Sequence, residues 1–120
     1  CEICQASPKE HDQAVSLISH LPIFLASALI ETVNKKNNQS LLYLSQKLAA
    51  TGFADTSRVG GGNVQLGLDL AMNNQTNILN AINNFKNRLN KLESIIKENN
   101  WEVLANKLSE AKEIRENFID

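Results

Sequence analysis

The stretch ILNAINNFKNRLNKLESII, residues 78–96, decides the fold class. Ile78, Ile82, Phe85, Leu89, Leu92 and Ile96 recur in steps of four, three, four, three and four, with Asn and Lys between them. That spacing lines one face of an α-helix with apolar side chains and makes a heptad seam of nearly three repeats. Asn99-Asn100 breaks it. A last helix follows, carrying Trp101, Leu104, Leu108, Ala111 and Phe118 along one side.

Upstream the same period returns. Ser7-Pro8-Lys9-Glu10 is a helix start: Ser7 caps, Pro8 suits the first helical position and Glu10 completes a capping box. Ala14, Leu17, Ile18, Leu21, Leu25, Ala28 and Leu29 then form one stripe, widened by Phe24 and Val33. Pro22 lies inside the stripe and predicts a kink rather than a stop. Residues 34–40 are polar and read as a connection, and Leu41, Leu42, Leu44, Ser45, Leu48 and Ala49 mark a shorter helix that Gly52 is placed to end. Residues 51–63 read as the one long irregular segment, with Asn63 capping the helix after it. The class is all-α. These stripes either pack on one another in one bundle or leave enough apolar surface for a homodimer through the long helices.

Composition sets the outer limits. The 120 residues are 42% hydrophobic and 21% charged, as in an ordinary globular domain able to build its own core. A net charge of -1 argues against a nucleic-acid partner. No unbroken run of about eighteen apolar residues is present, so no membrane partner is expected. Sixteen Asn have no structural logic at this stage, since Asn is a mediocre helix former. The chain opens at Cys1 without Met, which reads as a piece of something longer. Cys1 and Cys4 form a lone C-x-x-C with no further zinc ligands and no strand before it. Two Cys in an unstapled chain fit a reducing, cytoplasmic compartment.

Few residues carry chemistry. His11 and His20 are nine residues apart on one helix and face opposite sides, so no metal site is expected. Ser19-His20-Leu21-Pro22 is a polar notch, because Pro22 frees a carbonyl near Ile18. Asp55 and Arg58 are close enough to pair. A guanidinium in a Gly-flanked loop is a two-pronged clamp for carboxylate or phosphate, and a plain loop salt bridge is the alternative. Gly60-Gly61-Gly62-Asn63 could offer amides to an anion, but lacks the Lys of a phosphate loop and the strand of a dinucleotide fingerprint. It reads as a turn that brings the backbone close to something. No Ser-His-Asp arrangement and no glycosidase-like carboxylate pair is present.

Together, His11-Asp12, Ser19-His20-Leu21-Pro22, Gly52-Phe53-Ala54-Asp55-Thr56-Ser57-Arg58 and Asn74 resemble, in order and spacing, the C-terminal helical domain of prephenate and arogenate dehydrogenases. The last helix, with Ala111 and Arg115, is similar to that family's closing helix. Arg58-Val59-Gly60-Gly61-Gly62-Asn63 looks most like the cyanobacterial arogenate dehydrogenases. The resemblance implies a domain of the 6-phosphogluconate dehydrogenase C-terminal-like fold, spanning residues 1–120, with long helices in an intertwined homodimer. It implies oxidative decarboxylation of a cyclohexadienol, arogenate or prephenate, with NADP or NAD on the route to tyrosine. No catalytic residue is expected within these residues. The base His and the cofactor site would belong to an N-terminal dinucleotide-binding domain that the chain lacks, leaving it inactive alone.

Residue by residue, the resemblance implies that Arg58 binds a substrate carboxylate and that Asp55 holds Arg58 through an ion pair. Ser19 and His20 would line the pocket, Thr56 would support the loop, and His11 with Asp12 would form a supporting pair. Many prephenate-using members carry a His where this chain has Ile23 and a Trp where it has Gly67. Both departures lean towards arogenate. Two rivals remain. A non-catalytic helical interaction or phosphotransfer module would need its His on an unbroken helix, which Pro22 opposes. The helical domain of a 3-hydroxyacid or sugar-acid dehydrogenase would lack the Asp55-Thr56-Ser57-Arg58 run.

Overall fold

The structure, a computed structural model, describes residues 5–119, and all regular structure among them is helical. Cys1 and Cys4 lie outside the described residues. Helix α1 (Pro8–Val15) runs through a π turn (Ser16–His20) into α2 (Leu21–Val33). Then come α3 (Gln39–Leu48), α4 (Thr51–Ser57), a 3-10 turn (Arg58–Gly61) and α5 (Val64–Asn73). The long α6 (Gln75–Lys97) and α7 (Trp101–Arg115) complete the order. Two compact units result, Cys1–Ile82 and Asn83–Asp120, so their boundary falls within α6.

Side chains that the sequence marks as caps do cap. The Ser7 hydroxyl accepts from the Glu10 amide at 3.2 Å and donates to Glu10 Oε1 at 3.0 Å. Asn63 Oδ1 accepts from the Leu66 amide at 3.1 Å, opening α5. Asn38, in the connection after α2, opens α3 by accepting from Leu41 N–H at 3.1 Å. At the far end Asn99 takes a left-handed φ of 57° and lets Asn100 N–H reach the Ile95 carbonyl at 3.1 Å. This 6→1 closure ends α6. Asn100 Oδ1 then caps α7 through Val103 N–H at 3.3 Å, so one dipeptide closes a helix and opens the next.

The expected kink takes a specific form. The chain stays helical from Pro8 to Val33, with a π turn immediately before Pro22. Leu21 N–H reaches back five residues to the Ser16 carbonyl. Pro22 offers no N–H to Ile18, and the widened turn relieves the ring's crowding against the preceding turn.

Other expectations fail. Gly52 does not end the short helix: α3 stops at Leu48, and the extended Ala49-Ala50 pair makes the break. Gly52 instead sits in the first turn of α4, in a segment read as irregular. There Thr56 Oγ1 donates to the Gly52 carbonyl at 2.8 Å and Ser57 Oγ to the Phe53 carbonyl at 2.6 Å. Turn-forming side chains have bonded back into their own helix. Phe118 lies beyond the end of α7, its amide on the Arg115 carbonyl.

The premise of the membrane expectation, that no stretch is apolar enough to span, is corrected. The Pro8–Val33 path contains an 18-residue window of mean hydropathy 1.7, long and apolar enough to cross a bilayer. Counting unbroken apolar runs missed it, because Ser16, Ser19, His20 and Ser27 interrupt the run without lowering the average far. Only 17% of that window is buried.

The chain does not bury its stripes in itself. Among the described residues the buried apolar ones are Ala26, Ile78 and Ala81, while Leu17, Ile18, Leu44, Leu89 and Leu108 are at least half exposed. The accessible surface is 10033 Å². A folded monomer of 13.3 kDa would expose about 6,500 Å². The self-sufficient core expected from length is absent, and the excess apolar surface favours packing against other chains over a closed bundle.

Candidate functional site

In the first unit the 3-10 turn lies directly against α2, and one residue permits it. A Cβ built on Gly60 would stand 2.9 Å from the Ala26 carbonyl carbon and 2.9 Å from the Ser27 nitrogen. No larger residue allows this approach, and no positive φ is involved. The glycine run does bring the backbone close to something: the middle of α2.

A cleft of about 700 Å³ opens beside this contact. Ser19, Ile23 and Ser27 line it from the π turn and α2, Arg58 and Gly60 from the 3-10 turn, and Gly67 from α5. Ser19 and Arg58, thirty-nine positions apart, therefore share one wall system. The Arg58 guanidinium has no carboxylate within ion-pair distance among the described residues, where the bridges are His11–Asp12 and Lys107–Glu110. An uncompensated planar donor in such a cleft suits an oxygen anion, carboxylate above all. Gly67 leaves the floor open, since a Cβ there would meet only Ile23 Cγ2, at 3.9 Å.

The expected ion pair between Asp55 and Arg58 does not form. Asp55 is exposed on α4 and lines no part of the cleft, whereas Arg58, also exposed, begins the 3-10 turn and is among the residues that line it. Thr56 is likewise exposed and outside the cleft, its hydroxyl held by Gly52. His11 Nδ1 is 3.5 Å from Asp12 Oδ1, but both side chains are more than half exposed and neither reaches the cleft.

His20 is buried, at 8% exposure, and does not line the cleft although its neighbour Ser19 does. The side-chain amide of Asn74 packs against it. Asn74 Nδ2 is 3.3 Å from His20 Nδ1 and donates to the Asp12 carbonyl at 3.0 Å, while Asn77 Nδ2 donates to Asn74 Oδ1 at 2.9 Å. The Asn77 contact was missed, and an Asn pair three apart at a helix start was its one signal. Ser16 was missed too. It is 2% exposed, with its hydroxyl on the Gln13 carbonyl at 2.6 Å, inside the helix that the π turn widens.

The first unit is thus all-helical, with a cleft lined by Arg58 and Ser19 beside a tight 3-10 turn. Residues 7–110 match the family described as "Prephenate dehydrogenase, dimerization domain", and the chain belongs to that family. It is 28% identical over 112 residues to the prephenate dehydrogenase of Bacillus subtilis (strain 168), covering 93% of this chain and 30% of that one. It is also 28% identical over 109 residues to the cyclohexadienyl dehydrogenase of Zymomonas mobilis, covering 91% and 37%. The chain thus spans about a third of these relatives. The crystal structure of Synechocystis arogenate dehydrogenase superposes with a TM-score of 0.95 at 37% identity, over 98% of this chain and 42% of that one. Prephenate dehydrogenase from A. aeolicus, in complex with hydroxyphenyl propionate and NAD+, gives 0.84 at 29% identity, over 95% and 39%.

Proposed function

We propose that residues 1–120 are the C-terminal dimerisation and substrate-clamping domain of an NAD(P)-dependent dehydrogenase acting on arogenate or prephenate. The observation that carries this reading is the shared cleft of Ser19 and Arg58 in a chain of this family. Arg58 takes a substrate carboxylate and Ser19 a second polar group, while Gly60 sets the distance between their elements. His20 stands behind Ser19. Thr56 supports α4 through its bond to the Gly52 carbonyl, and Asp55, His11 and Asp12 lie outside the cleft.

The described residues do not fit a nicotinamide dinucleotide. They contain no strand, and Gly60 of the glycine run is committed to packing on α2. NAD or NADP therefore belongs, in this reading, to the part of a longer protein that relatives have and these residues do not cover. Hydride transfer and the proton-accepting His belong there as well, and residues 1–120 alone turn over neither substrate. The apolar Pro8–Val33 path packs in a homodimer rather than a bilayer, which keeps the protein cytoplasmic.

The cleft favours arogenate. Ile23 and Gly67, which face each other across it, provide neither a polar nor an aromatic partner for a ketone side chain. The test is steady-state kinetics of the full-length protein with both substrates. Higher kcat/KM for arogenate is expected, and a clear advantage for prephenate overturns the preference. Arg58→Ala should raise KM by roughly 10- to 100-fold, as loss of a charged hydrogen bond costs about 1.5–3 kcal/mol. An unchanged KM removes Arg58 from the site.

A further inference from the structure

The hydrogen bonds around His20 settle which of its nitrogens carries the proton, and Asn74 is the cause. An amide nitrogen only donates, so the Asn74 Nδ2 facing His20 Nδ1 at 3.3 Å requires a lone pair on Nδ1. The orientation of that amide is not arbitrary. Turning it over would set Asn74 oxygen against the Asp12 carbonyl, now 3.0 Å from Nδ2, and would face the Asn77 NH₂ with another NH₂. Asn77 thus orients Asn74, and Asn74 orients His20.

The rest follows from valence. A neutral imidazole with Nδ1 as acceptor carries its proton on Nε2. Nε2 has no protein partner among the described residues, and no buried side-chain nitrogen or oxygen among them lacks one, so Nε2 retains solvent contact. We propose that Asn74 is a positioning residue that holds the uncharged ring of His20 in its Nε2–H tautomer, a hydrogen-bond donor through Nε2–H. In this state His20 cannot act as a general base through Nε2. It offers a proton to an acceptor, a carboxylate or hydroxyl oxygen, one residue from Ser19. The substrate side of the statement rests on the function proposed above; the tautomer does not.

The test is nitrogen NMR of the ¹⁵N-labelled 120-residue chain at a pH where histidine is neutral, using long-range ring couplings to assign tautomers. A blocked histidine peptide in the same buffer is the reference for an exchanging ring, since His11 Nδ1 faces the Asp12 carboxylate at 3.5 Å. The expected result is a single Nε2–H tautomer for His20, its Nδ1 signal far downfield of its Nε2 signal. Asn74→Ala should move the His20 nitrogens to the averaged positions of the peptide. Asn74→Asp should shift the proton towards Nδ1, because a carboxylate accepts where the amide donated. Asn74 also follows α5 directly, so Asn77→Ala provides a variant that disturbs only the orienting bond; partial averaging is expected. A wild-type His20 that averages like the histidine peptide, or His20 signals unmoved in Asn74→Ala and Asn77→Ala, overturns the proposal. No substrate is present in this measurement, so a failed kinetic test and a failed tautomer test are separate outcomes.

Discussion

Replacing Gly60 by alanine tests whether the contact between the 3-10 turn and α2 is what builds the cleft. The new Cβ would lie 2.9 Å from the Ala26 carbonyl carbon, the Ser27 nitrogen and Ile30 Cδ1. The Ile30 methyl can rotate away; two backbone atoms in the interior of a helix cannot, so the turn must retreat. Such overpacking costs about 1–3 kcal/mol. Against it, alanine has less freedom to lose from the unfolded chain, worth about 0.4–1 kcal/mol where the backbone accepts it. It does accept it here, because no glycine has a positive φ. The net loss is then about 0–2.6 kcal/mol, about 1.3 at the midpoints. With an unfolding entropy of about 0.25 kcal/mol/K for a chain of this length, Tm falls by about 5 °C at the midpoint and by up to about 10 °C. Gly61 supplies the control, since a Cβ there meets nothing within 4 Å. Gly61→Ala carries only the entropic gain and should raise Tm by roughly 2–4 °C. Circular-dichroism melts at one fixed protein concentration compare the two, since association makes Tm concentration-dependent. Opposite signs are expected. Equal shifts in the two variants would refute the steric argument.

Two further outcomes are expected. Leu89 is 53% exposed within the chain, so Leu89→Glu should change folding by no more than about 0.5 kcal/mol yet lower the light-scattering mass from dimer to monomer; a persistent dimer would remove the α6 seam from the interface. Asn99→Ala should cost about 1 kcal/mol in urea denaturation and Asn99→Gly almost nothing, since the left-handed φ of 57° penalises a Cβ without a local hydrogen-bonding group; equal midpoints for the two would show that the α6 closure is not strained.

How legible the molecule was depended on whether a feature is local. Ser7 and Asn63 were readable as caps because a cap needs only its own helix turn. Asn99-Asn100 was readable as a break, and the structure adds that its two residues serve opposite helices. Helix α4 was not readable: Asp55, Thr56 and Ser57 are turn-prone residues, and nothing local announces that two hydroxyls will bond back to Gly52 and Phe53. The Asp55–Arg58 pairing failed for a related reason. Spacing permits it in a loop, but Asp55 falls within a helix and Arg58 at the start of the 3-10 turn, and only Arg58 lines the cleft. His20 and Asn74, fifty-four positions apart, could be joined only by the fold. The self-contained core was misjudged because a stripe states that a face is apolar and not what covers it.

The exposed area constrains the assembly further. This chain shows about 3,500 Å² more surface than a folded monomer of its mass. An obligate homodimer buries about 2,000–5,000 Å² in total, or about 1,000–2,500 Å² from each protomer. Even the upper figure leaves about 1,000 Å² of the excess uncovered. That remainder falls within the 600–1,500 Å² of an ordinary interface between domains of one chain. Under the proposed function, dimerisation and contact with the nucleotide-binding part share this surface. Ser19 and Arg58 both line the cleft and are both exposed in the first unit, so a substrate held there would still face solvent. Under the proposed function, the surface that remains after dimerisation is where the nucleotide-binding part closes the site. The full-length protein should therefore bury the Ser19–Arg58 cleft from solvent, and hydroxyl-radical footprinting of the two lengths of chain reads this directly. Equal labelling of Phe24, which also lines the cleft, in both lengths would show that the second domain lies elsewhere.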